Sequence, residues 1–150
     1  MEIERKFLIN TPPDDLEQYK QAEIEQAYIS VEPTIRLRKQ NNDYYLTIKQ
    51  KGFMAREEME ITITKEQFTR LWDKIETGII RKTRFFIPLH EKTAELDVYR
   101  GVLQGLITVE VEFNSIDQAN SFNPPNWFGR EVTNNPKYSN SALAVSKLLD

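Results

Sequence analysis

The feature that most constrains this chain is an alternation of period two that recurs along it, with ionisable residues on the polar phase. In residues 2–9, Glu2, Glu4 and Lys6 fall on one face of an extended chain, and Ile3, Phe7 and Ile9 on the other. A β-strand turns successive side chains to opposite faces in this way. The pattern returns at 25–31, where Gln26 and Tyr28 oppose Ala27, Ile29 and Val31, and at 34–39, where Arg36 and Arg38 oppose Ile35 and Leu37. It returns again at 43–50 (Tyr45, Thr47, Lys49), 57–63 (Glu58, Glu60, Thr62), 93–99 (Glu95, Asp97, Tyr99) and 106–113 (Thr108, Glu110, Glu112). The stretch 79–87 is rougher, because Arg81 interrupts the apolar phase, but Lys82 and Arg84 keep the polar one. About eight strands result, joined mostly by short turns such as Asn41-Asn42-Asp43 and Arg100-Gly101. Short connections favour antiparallel pairing, and eight strands suffice to close a barrel and remove its edges.

Four segments read as helices. Residues 12–23 open on Pro12-Pro13-Asp14-Asp15, a plausible helix start. Residues 64–77 begin with a capping box, Thr64 and Gln67, followed by Phe68, Leu71, Trp72 and Ile75 on one stripe. Residues 115–122 carry Ser115 and Gln118 at the same spacing, and 140–149 open on Asn140 and bring Leu143, Val145, Leu148 and Leu149. The expected fold is α+β: a closed eight-stranded antiparallel barrel with a charged interior, flanked by amphipathic helices. A chain of 150 residues suits one domain spanning 1–150.

The polar faces are unusual in being charged and sorted by strand. Glu2/Glu4, Glu58/Glu60 and Glu110/Glu112 are acidic pairs, and Arg36/Arg38 and Lys82/Arg84 basic ones. Neighbours on one strand face lie about 7 Å apart, so each pair needs a counter-ion: divalent cations for the acids, phosphate oxygens for the bases. The pattern by itself also fits a solvated outer face laced with cross-strand ion pairs. The apolar faces favour the other arrangement. If amphipathic helices cover them, the charged side lines an interior, and a charged interior is costly without ligands or water.

Composition removes several classes. The net charge of −3 gives no polycation, so no nucleic-acid polymer is expected as partner. There is no cysteine, which excludes disulfides, thiolate zinc sites and a cysteine nucleophile. No run approaches the length that spans a bilayer, and the charged opening Met-Glu-Ile-Glu-Arg-Lys is unlike a secretory signal. A cytoplasmic protein is expected. No GxGxxG, Walker sequence or Ser–His pair stands out.

Glu2-Ile-Glu4-Arg-Lys6 has the form Glu-x-Glu-x-Lys, and the other pairs follow in order: Arg36-Leu-Arg38, Thr47-Ile-Lys49, Glu58-Met-Glu60, Lys82-Thr-Arg84, Glu95-Leu-Asp97 and Glu110-Val-Glu112. The set resembles the signature of the CYTH superfamily, the triphosphate tunnel metalloenzymes, across essentially the whole chain to Lys137-Tyr138-Ser139-Asn140. It is most similar to the small bacterial members that act on inorganic tripolyphosphate. The resemblance implies a tunnel taking a linear triphosphate with Mg²⁺ or Mn²⁺. It leaves open tripolyphosphatase, thiamine triphosphatase, nucleoside or RNA triphosphatase and class IV adenylate cyclase activities. A homodimer is implied by family analogy alone.

Roles follow residue by residue. Glu2, Glu4, Glu110 and Glu112 are the expected metal ligands, since hard cations take carboxylate oxygens. Glu58, Glu60 and Asp97 either hold a second metal or balance charge. Lys6, Arg36, Arg38, Lys49 and Arg84 are expected on phosphate oxygens, with Lys51 and Arg56 at the rim. Lys82 is the candidate general base, its alternative being one more phosphate contact. Tyr28 and Tyr45 share the tunnel phase and read chiefly as barrel filling. His90, Trp72 and Trp127 read as loop or packing residues. A non-catalytic polyphosphate-binding module is the alternative from another class.

Overall fold

A computed structural model describes residues 1–145. The strands are β1 (Glu2–Leu8), β2 (Lys20–Ser30), β3 (Thr34–Gln40), β4 (Asp43–Lys49), β5 (Ala55–Arg56), β6 (Glu58–Ile63), β7 (Ile80–Leu89), β8 (Lys92–Arg100) and β9 (Ile107–Glu112). The helices are α1 (Lys65–Trp72), α2 (Ile116–Ser121) and α3 (Asn140–Val145). The strands form one sheet in the order β5-β1-β9-β8-β7-β2-β3-β4-β6, and every pairing is antiparallel.

The two ends of that order are parts of one extended stretch. β5 lies on β1 (Glu2↔Arg56), and β6, one residue further on, lies on β4 (Lys49↔Glu58). The chain itself therefore bridges the sheet edges and rounds the sheet into a barrel. This is why nine strands appear where eight were expected: the closing strand reaches β1 through two added residues and is interrupted at Glu57.

Three helix expectations need correction. Residues 12–23 are not a helix. They contain a single 3-10 turn, Leu16–Gln18, and from Lys20 the chain already runs in β2 against β7. Ala22, Ile24 and Gln26 are buried while Gln21 and Glu23 are exposed, so period two extends further back than the proline start suggested. At the other end, Asn140 does not cap its helix. The hydroxyl of Ser139 accepts from the Ala142 N–H at 3.2 Å, and the Asn140 amide oxygen accepts instead from the Tyr99 hydroxyl at 2.7 Å. Leu148 and Leu149 lie outside the described residues. The capping box of α1 is present as expected, Thr64 accepting from the Gln67 N–H and Gln67 from the Thr64 N–H, but the helix ends at Trp72 rather than at 77.

Ile3, Phe7, Leu96, Val109, Val111 and Phe113 form an apolar face outside β1, β8 and β9, covered by Ala119 of α2 and by Phe122, Trp127 and Phe128 beyond it. Full burial of each large side chain there contributes about 1.5–3 kcal/mol. Phe68 of α1 stacks between Tyr44 and Trp72, each ring centroid 4.9 Å away. The helices cover only part of the outside, since Ile48, Met59 and Ile61 on β4 and β6 remain exposed. A second cluster, Ile80, Tyr99, Leu103 and Leu143, seals one end of the barrel. Ile80 and Tyr99 keep the inward phase of Lys82 and Asp97, so this seal continues the interior wall downward.

Candidate active site

The charged phase faces inward. Glu2, Glu4, Lys6, Arg36, Arg38, Lys49, Glu58, Glu60, Arg84, Glu110 and Glu112 all line one cavity of about 410 Å³, together with Tyr28, Arg56 and Glu95. Of the site residues named from the sequence, Lys82 and Asp97 do not line it. Both are fully buried in the wall between β7 and β8.

On the acidic side, β1 and β9 pair with Glu4 opposite Glu112 and Lys6 opposite Glu110. Burial and the neighbouring Glu110 hold the Glu4 carboxyl well above the usual carboxylate range. Glu110 stays well below it although burial works the other way, because Lys6 lies beside it and Glu4 shares a hydrogen bond with it. Lys49 donates to Glu2 at 3.1 Å, and the Arg56 guanidinium lies 3.5 Å from Glu2 and 4.0 Å from Glu4. Among the described residues no three carboxylates already converge on one point. The donor set nonetheless suits a hard cation: crowded glutamate oxygens on adjacent strands, with one carboxyl driven toward its neutral form by burial and its neighbouring carboxylates.

The cations of the basic side are unequally paired. Arg38 is buried, its Nε donates to the amide oxygen of Gln26 at 2.9 Å, and among the described residues no carboxylate pairs with it. Burial, with Arg36 and Arg84 nearby, lowers its pKa to about 9. Arg36 donates through Nη2 to Thr47 at 3.1 Å and to Glu60 at 3.3 Å, while its buried Nε has no partner. Arg84 is better satisfied, forked onto Asp97.

Lys82 meets that same Asp97, with Nζ 2.8 Å from Oδ2 and 5.3 Å from the centre of the Tyr99 ring. The approach is close but not aligned, and Nζ is left without a hydrogen-bond acceptor. Burial lowers its pKa to about 7, with Asp97 opposing the fall and Arg84 and Arg38 adding to it. The amine is thus fully buried against Asp97 and does not itself line the cavity.

Sequence reasoning missed the floor. Thr133, Asn135, Tyr138, Ser139, Asn140 and Ser141 also line the cavity. The Tyr138 carbonyl accepts from Lys6 Nζ at 2.7 Å. These residues are polar and uncharged, all but Tyr138 are small, and they carry no alternating pattern that would have marked them.

An antiparallel barrel with paired carboxylates and clustered cations facing one internal cavity defines a CYTH-type protein, and the family model for the CYTH domain matches residues 1–133. The chain belongs to the CYTH domain family. It is 44% identical over 150 residues to an inorganic triphosphatase of Nitrosomonas europaea, with 97% of each chain covered. It is 31% identical to an inorganic triphosphatase of Acetivibrio thermocellus, covering 95% of this chain and 92% of that one. Among solved structures, that of the inorganic triphosphatase NE1496 superposes with a TM-score of 0.72 at 41% identity, over 97% of this chain and 95% of that one. No helix among the described residues is long and apolar enough to cross a membrane.

Proposed function

We propose that this protein hydrolyses inorganic tripolyphosphate to pyrophosphate and phosphate with the help of Mg²⁺ or Mn²⁺. The observation that carries this reading is the pair of incompletely hydrogen-bonded arginines inside the barrel. A buried guanidinium held only by a neutral amide, beside another with an unpartnered Nε, makes a cavity that is incomplete without an anion. The relatives named as inorganic triphosphatases support a triphosphate as that anion.

In this reading Arg36, Arg38, Lys49, Arg84 and Lys6 bind and orient the phosphate chain, the arginines through planar forks and the lysines as point charges. Glu2, Glu4, Glu110 and Glu112 hold the cation, and Glu58 and Glu60 balance the arginines at the open mouth. A bound divalent ion supplies charge neutralisation and polarisation of phosphate oxygens. The buried wall and floor limit water around the bound chain, which strengthens each of these contacts. Lys82 acts through Asp97, which it neutralises and which in turn fixes Arg84.

Phosphate release from a panel of tripolyphosphate, thiamine triphosphate, ATP and GTP, each with Mg²⁺ and with Mn²⁺, tests the proposal. Preferential turnover of tripolyphosphate is expected. Preference for an organic triphosphate would replace the substrate, and tight tripolyphosphate binding without release under either metal would make the protein a binding module.

A further inference from the structure

The floor of the cavity is suspended from the outside of β1. After α2, residues 129–133 run beside the half of β1 that β5 leaves free. The Gly129 N–H donates to the Leu8 carbonyl, the Leu8 N–H to the Arg130 carbonyl and the Val132 N–H to the Lys6 carbonyl, each at 2.8 Å. A Cβ on residue 129 would lie 2.5 Å from the Leu8 carbonyl oxygen, so this approach requires glycine. Beyond Val132 the chain turns under the barrel and delivers Thr133, Tyr138 and Asn140 to the cavity.

One outward side chain ties this segment down. Arg5 lies on β1 between Glu4 and Lys6, on the opposite face. Its Nε and Nη2 donate to the two carboxylate oxygens of Glu131 at 2.8 and 2.7 Å. Its Nη1 donates to the Ala119 and Phe122 carbonyls at 2.9 and 3.1 Å, which also anchors the end of α2. Glu131 accepts a further bond from the Thr133 hydroxyl at 2.6 Å, and that hydroxyl accepts from the Lys6 N–H at 3.0 Å. A continuous path therefore runs from Arg5 through Glu131 and Thr133 to Lys6, whose ammonium rests on the Tyr138 carbonyl. The surface pair Arg100–Glu23, with both side chains 53% exposed, continues to the Thr83 hydroxyl at 2.8 Å, a residue that does not line the cavity.

We propose that Arg5 is a positioning residue for the triphosphate site: from outside the barrel, its clamp on Glu131 sets the floor segment and thereby the place of Lys6. The proposal rests on reading the cavity as the triphosphate site. Lysine could not replace Arg5, because the clamp needs the planar fork and additional donors at once.

The test uses the full-length protein with Arg5→Gln, Glu131→Gln and the double variant, and Arg100→Gln as a surface control. Trace acetic anhydride, with residue-resolved mass spectrometry, reads the exposure of the Lys6 amine in ligand-free protein against Lys39. Steady-state kinetics with tripolyphosphate and Mg²⁺ reads the site. Both single variants are expected to speed Lys6 acetylation and raise KM on the order of tenfold with a smaller change in kcat. The double variant should match the worse single one, because both act through one path. Arg100→Gln should behave as the parent. Parental Lys6 acetylation in both single variants overturns the clamp, and Glu131→Gln, which keeps size and shape, secures that reading should Arg5→Gln fold poorly. Raised acetylation with parental KM overturns the claim that the clamp serves the site. Absence of tripolyphosphate turnover in the parent sinks the hydrolase reading instead, while acetylation still judges the clamp.

Discussion

The guanidinium of Arg84 is forked onto the carboxylate of Asp97, Nε to Oδ1 at 2.8 Å and Nη2 to Oδ2 at 3.0 Å, in register across β7 and β8. Lys82 shares that carboxylate. One fully buried acid thus serves two cations. Asp97→Asn is expected to leave Lys82 without its carboxylate and Arg84 with only the 3.5 Å contact to Glu95, and to destabilise the protein by about 3–5 kcal/mol, read as a shifted urea midpoint with an unchanged slope.

The same carboxylate sets an acid limit. Arg84 and Lys82 hold the pKa of Asp97 at about 2 against the effect of burial. A depressed carboxylate stabilises the fold above its unfolded value, near 3.9, and loses that contribution as pH falls through the folded value. The contribution, about 2 kcal/mol, should vanish between about pH 4 and pH 2. Stability of the parent should therefore fall more steeply than that of Asp97→Asn across this window, as measured by urea unfolding at stepped pH.

Lys82 can be separated from proton transfer. Lys82→Met keeps the length of the side chain, removes the amine and leaves Asp97 to Arg84. Because the amine is fully buried against Asp97 and does not line the cavity, the variant is expected to keep kcat within about tenfold of the parent and to retain its acid limb. A general base contributes about 10²–10⁴-fold, so a fall of that size, with the limb abolished, would restore the base role.

Arg38 carries a cost in the free protein. Burial and its cationic neighbours lower its pKa to about 9, and only Gln26 meets its Nε. Arg38→Met should raise the melting temperature of the ligand-free protein and weaken tripolyphosphate binding on the order of tenfold or more, as lost charged hydrogen bonds do. Scanning calorimetry with and without tripolyphosphate and Mg²⁺ checks both arms. The ligand should shift the parent upward and the variant less.

Glu2→Gln and Glu4→Gln keep shape and remove charge from the acidic wall. Each should leave the far-ultraviolet circular dichroism spectrum as in the parent and abolish metal-dependent phosphate release. Calorimetric Mg²⁺ binding in the presence of tripolyphosphate should weaken in parallel. Parental affinity in both variants would move the cation elsewhere.

The sequence alone determined which side chains share a face. Strict alternation forces Glu2, Glu4 and Lys6 together and Arg36 with Arg38, because successive residues of a strand point to opposite sides. The Thr64–Gln67 box marked the start of α1 for the same reason of local geometry. Only the tertiary structure decided which face is concave, since period two is indifferent to the sign of curvature; the joining of β1 and β4 through residues 55–63 settled that. It also decided depth along each strand. Lys82 shares the inward phase with Arg84 but lies lower, opposite Tyr99, where apolar packing fills the barrel, and Asp97, level with Arg84, is buried against both cations. The floor was beyond reach for a further reason. The bond from Lys6 to Tyr138 spans 132 residues, and a contact of that separation leaves no local pattern in either segment, because neither partner constrains the residues beside the other in sequence.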